Sequence, residues 1–210
     1  TQIIAQAPSQ YMWAGIGDTY AKYYEALISS RDERLEHFTA VGVAVSQMCR
    51  DPLLLYSAQA LEDHKQGLCT YAVEQVVLAI VVTTGIASIF LTKDYTPDYN
   101  SGLAHAIFYA LTAYPVIEER HLHGEVVAFG ILIALLVDGQ KEEFEKIYEL
   151  NKSIGLPTRL SDIEITPAQW EECLDRIPTM SDVAHYPYKV TRPMLEDAMK
   201  TLEERAVSHR

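Results

Sequence analysis

The sequence predicts an all-α fold, a multi-helix bundle with no parallel sheet, on three observations. Apolar residues recur at helical spacing along almost the whole chain, helix start and stop signals punctuate that pattern, and apolar/polar alternation extends no further than Tyr186 to Val190. With 210 residues, 49% of them hydrophobic and 22% charged, the chain can bury one substantial core or two small ones, which makes disorder a poor account of any long segment.

The elements follow in order. Pro8 opens a first helix that runs to about Ser29. Asp51 reads as an N-cap with Pro52 at the first helical position, and Gly67 as that helix's stop. Further helices are expected from about Leu68 to Leu91, Gly102 to Ala113, His123 to Val137 and Lys141 to Ser153, the last closed by Gly155 and then Pro157. Thr166 with Pro167 and Thr191 with Pro193 start two shorter helices. Val76 to Leu91 is strongly apolar, but at 16 residues it falls short of the about 20 that a membrane span needs. It and Val126 to Val137 therefore read as helices at the centre of the core.

The formal net charge of −12 argues against nucleic acid or an anionic membrane as partner, since both reward clustered Lys and Arg. Cys49, Cys69 and Cys173 are odd in number, widely spaced and without a C-x-x-C pair, so neither a disulfide framework nor a cysteine zinc site is expected, and a reducing cytoplasm fits best. No secretory leader is visible, and a chain that opens at Thr1 without an initiator Met reads as one from which something has been removed.

Two distant segments carry the chemistry. A-G-I-G-D-T-Y at Ala14 to Tyr20 begins like a dinucleotide loop, but Tyr20 stands where a third glycine is required and no strand precedes it. Gly15 and Gly17 then read as residues that let two helices approach, and an isolated Asp18 as a solvated carboxylate. His105, in an apolar stretch, reads either as a core imidazole satisfied by one hydrogen bond or, being neutral when buried, as a metal ligand. His123 and His121 are rivals at the start of the His123 helix, with Gly124 keeping side-chain bulk away from a metal. Asp18 with two such imidazoles makes an oxygen and nitrogen donor set that suits Zn²⁺ or Fe²⁺ and leaves positions open.

Three motifs in order, A-P-x(6)-G-x-G-D-T-x(5)-E (Ala7 to Glu25), L-A-H-A-I (Leu103 to Ile107) and H-G-E-x-V-A-F-G (His123 to Gly130), resemble the metal-dependent, iron-containing alcohol dehydrogenase superfamily, and most closely its glycerol dehydrogenase branch. The resemblance covers about residues 3–157, leaving 158–210 as a helical tail within a single domain of residues 1–210. It implies that Asp18, His105 and His123 bind the metal and are the catalytic residues, with His123 preferred over His121 because it aligns with the motif. Iron-containing members usually carry a further histidine where Lys22 stands, so Zn²⁺ is favoured over Fe²⁺. A second histidine often found three residues after the first motif histidine is Phe108 here, a difference at the substrate end of the site.

What the resemblance implies is the helical half of an NAD-dependent dehydrogenase that oxidises a vicinal diol or small polyol by metal-assisted hydride transfer. The N-terminal α/β nucleotide-binding domain of such proteins has no counterpart here, so this chain by itself is expected to turn over nothing, to expose apolar patches, and to self-associate. Two alternatives are a dehydroquinate-synthase-like cyclase, disfavoured because no basic cluster flanks the histidines, and a non-catalytic helical assembly module.

Overall fold

The computed structural model describes residues 2–93, 96–97 and 99–207. Eleven α-helices lie among them: α1 (Ser9–Ser29), α2 (His37–Ser46), α3 (Asp51–Lys65), α4 (Tyr71–Leu78), α5 (Thr84–Leu91), α6 (Leu103–Leu111), α7 (Pro115–Arg120), α8 (His123–Val137), α9 (Lys141–Ile154), α10 (Pro167–Cys173) and α11 (Arg192–Val207). Several single 3-10 turns and one antiparallel pair of two-residue strands, β1 (Thr92–Lys93) and β2 (Thr96–Pro97), complete the described chain. The all-α expectation holds, and Tyr186 to Val190 is irregular, with a bend at Pro187 and Tyr188, instead of a strand.

Helix α8 is the axis of the molecule. Every residue from Val126 to Leu135 is buried, as an apolar segment with no polar face demands. It packs on α1, α6, α9 and α11. The α1–α8 crossing is possible only because two glycines meet there. A Cβ on Gly17 would collide with the Gly124 carbonyl and lie 2.7 Å from Ala128 Cβ, and one on Gly124 would collide with the Ala14 carbonyl. Gly124 therefore serves helix packing; its expected role of clearing the approach to a metal is secondary to that.

Residues 158–207 are more than an appended tail. Trp170, Leu174, Ile177, Leu195 and Leu202 join the same buried cluster as Met12 and Ile16, and Tyr186 accepts the Leu103 N–H at the start of α6 (3.1 Å).

Two boundary expectations are corrected. Asp51 lies inside α3, with Arg50 at the N-cap position, and its carboxylate bonds Arg50 and Gln47 instead of capping. The helix expected from Leu68 starts at Tyr71, because Thr70 Oγ1 accepts the Val73 N–H and ends the preceding extended stretch. From there α4, a π-helical turn (Ala79–Thr83) and α5 form one continuous helix of 21 residues, so length no longer argues against a membrane span.

Nor is that helix the core element it resembles in sequence. Only 28% of its most apolar window is buried. One side, with Val73, Val76, Ala87 and Leu91, faces the protein, while Leu78, Val81, Val82, Ile86 and Ile89 form an exposed apolar stripe. The expectation of exposed apolar surface is met in this stripe.

Candidate metal centre

Three helices deliver one donor each. Asp18 projects from the middle of α1 beside the first turn of α8, whose unsatisfied N–H groups favour a negative charge. His123 is the first residue of α8, and His105 lies in the first turn of α6. The Asp18 Oδ1 atom stands 3.3 Å from His123 Nε2 and 3.6 Å from His105 Nε2, and the three ligating atoms lie within 4.8 Å of one another. Donors about 2.0–2.2 Å from one tetrahedral ion stand about 3.3–3.6 Å apart, so the spacing of the carboxylate from each imidazole fits a Zn²⁺-sized cation.

His121 is not part of this group. Its Nδ1 meets Glu125 Oε1 at 2.9 Å, and the other Glu125 oxygen accepts the Leu122 N–H. The glutamate of the H-G-E motif thus ties down the turn that enters α8.

Sequence reasoning assigned no role to Glu25, which the structure makes the support of the site. Fully buried, it bonds His105 Nδ1 at 2.6 Å and accepts the His105 backbone N–H at 3.1 Å. The imidazole is thereby oriented with Nε2 toward Asp18, the carboxylate–histidine arrangement that raises ligand basicity at metal sites. Its spacing from Asp18, two helical turns along α1, was the available signal. Phe108, standing where the family often has histidine, packs edge-to-face on His123 with ring centroids 4.3 Å apart.

Burial alone would disfavour the His105 imidazolium, but the Glu25 charge and the bonds to Asp18 and Glu25 outweigh it and push the pKa up to about 10. Burial would likewise raise the Asp18 pKa, yet its bonds to His105 and His123 hold the carboxyl far below the ordinary range. Without a cation the cluster is thus held together by protons, which is the exchange a metal would make. A Glu25→Gln variant keeps the size but loses the charge; we expect zinc affinity to fall about 10–100-fold, read by competition with a chromogenic chelator, and unchanged affinity would refute the supporting role.

A cavity of about 510 Å³ opens beside the cluster, lined by Lys22, Asn100, Ser101, His105, Tyr109 and Asp182 among others. Lys22 lies one turn beyond Asp18 on α1 and donates to the Asn100 carbonyl.

No known-family profile matches the chain. It is 33% identical over 207 residues to hydroxycarboxylate dehydrogenase A of Escherichia coli K12, covering 96% of this chain and 56% of that protein. It is 32% identical over 186 residues to the glycerol dehydrogenase of Thermotoga maritima, covering 83% and 47%. Among solved structures, a probable glycerol dehydrogenase from Sinorhizobium meliloti superposes with a TM-score of 0.83 at 26% identity, covering all of this chain and 59% of that one. The glycerol dehydrogenase of Schizosaccharomyces pombe shares the fold, with a TM-score of 0.81 at 23% identity. The chain spans about half the length of the relatives it matches. Over that half, its homologues are glycerol dehydrogenases and a hydroxycarboxylate dehydrogenase, and its structure resembles the C-terminal part of such proteins.

Proposed function

We propose that the chain is the helical, metal-binding C-terminal half of an NAD-dependent dehydrogenase acting on a small alcohol, with Asp18, His105 and His123 as metal ligands and catalytic residues. The observation that carries this reading is the convergence of one carboxylate and two imidazoles from three helices, one of them held by a buried glutamate. Three protein donors with open positions favour Zn²⁺ over Fe²⁺, and Lys22, where a fourth ligand could stand, is a cation.

A divalent ion at these donors supplies Lewis acidity to an alcohol oxygen beside it. The chain's own residues do the rest. Asp18 and the two imidazoles fix the position at which the reacting carbon is presented, Glu25 keeps His105 oriented, and Phe108 restricts the His123 ring. NAD is proposed to bind outside this chain, which alone should therefore turn over no substrate. The relatives' names bracket the substrate, vicinal diols such as glycerol on one side and hydroxycarboxylates on the other. Zinc uptake by wild-type and ligand variants is the test of the site.

Three free cysteines fit a reducing cytoplasm, where we place the protein. We propose further that the apolar stripe of α4 and α5 is covered by a second copy of the chain. Sedimentation velocity is expected to show dimers or larger species at micromolar concentration, reduced to monomer by Val82→Glu with Ile89→Glu. A monomeric wild-type chain would refute this.

A further inference from the structure

Lys22 is buried, 5% exposed, yet its ammonium meets only a neutral carbonyl, that of Asn100. Among the described residues it forms no ion pair, and its two nearest carboxylates on α1 are engaged elsewhere, Asp18 by the two imidazoles and Glu25 by His105. An uncompensated ammonium inside a protein is costly and normally paired. Here it lines the cavity that His105 also lines, one helical turn or about 6 Å along α1 from Asp18.

From this geometry we infer that Lys22 is the specificity-determining residue of the site and receives the carboxylate of the substrate, so that the substrate class is a 2-hydroxycarboxylate (or its 2-oxo counterpart) in preference to an uncharged diol. This inference rests on the metal reading above and adds the second point of attachment. The separation suits a substrate whose reacting hydroxyl lies at the Asp18, His105 and His123 cluster and whose neighbouring carbon bears the anion. The one carboxylate among the described residues of the cavity wall, Asp182, already accepts the Ser101 hydroxyl at 2.8 Å, and its remaining lone pairs suit a further substrate hydroxyl. A single ammonium, without Arg or a second Lys among the described residues lining the cavity, matches a carboxylate better than a phosphate dianion, which typically takes several cations.

The test compares lactate with 1,2-propanediol, which differ by a carboxylate in place of a methyl group beside the same carbinol. Each would be titrated calorimetrically into the zinc-loaded chain, as wild type, Lys22→Met and Lys22→Arg. Lactate is expected to bind the wild type about tenfold or more tighter than propanediol. Lys22→Met should remove that advantage while leaving propanediol binding as it was, and Lys22→Arg should restore part of it. Equal lactate affinity in wild type and Lys22→Met would overturn the inference and leave the metal site standing. Parallel loss of both ligands in Lys22→Met would also overturn it, showing that the lysine only supports the Asn100 segment. A wild-type chain that takes up no zinc would sink the metal reading and this inference with it.

Discussion

Asp18→Ala and His105→Ala are each expected to abolish stoichiometric zinc binding, whereas wild type is expected to bind one zinc per chain. Each substitution removes one of only three donors, so the loss should exceed the about 10–100-fold typical of removing a supporting partner. His105→Ala also leaves Glu25 buried without its main partner, so that variant should melt earlier as well. Elemental analysis and titration give the readout; retention of zinc in both variants would refute the site.

The protons make this prediction sharper. The folded-state pKa of His105 stands at about 10, above its ordinary 6.5. The raised pKa contributes stability to the metal-free chain that is fully present below about pH 6.5 and is lost as the pH climbs through about 10. Zinc requires the neutral imidazole, so uptake near pH 7.5 must release a proton, and zinc affinity should rise with pH from about 7 toward 10. Calorimetry in buffers of different ionisation enthalpy measures the release; a binding enthalpy independent of buffer would contradict it.

Gly124→Ala is expected to destabilise the fold by more than about 3 kcal/mol, which for a chain of this size lowers the melting temperature by at least about 6 °C. The added methyl would lie 2.8 Å from the Ala14 carbonyl carbon, closer still to its oxygen, and 3.0 Å from Asp18 Cβ. Backbone cannot step aside as a flexible side chain would, so α1 and α8 must separate, and Asp18 parts from His123 with them. Zinc binding should fall in the same variant. Gly85 supplies the contrast: a Cβ there meets nothing within 4 Å, and Gly85→Ala in the exposed face of α5 should be neutral or stabilising by about 0.5–1 kcal/mol. Equal melting temperatures for the two variants would refute the packing argument.

Where local chemistry decides an element, its sequence was enough. Helix α8 begins and ends at His123 and Val137, and α1 and α9 lie within one residue of expectation. Gly67 and Gly155 both adopt the positive φ that stops a helix. Helix α2 was illegible because Glu36 makes no capping bond and the helix buries only Gly42 and Ser46, so neither cap nor periodicity marks it. Helix α7, the six residues Pro115 to Arg120, is too short for periodicity to mark.

Taken alone, the sequence determined the helical class and most helix boundaries and singled out Asp18, His105 and His123 as candidate donors, since periodicity, caps and motif residues are properties of short stretches. Only the tertiary structure decided that His121 turns to Glu125, that Glu25 holds His105, that Gly124 exists for the α1–α8 crossing and that an apolar helix lies half exposed. Each of these depends on which residues from distant segments come to share one place, and hydrophobicity and spacing along the chain carry no information about the far side of a contact.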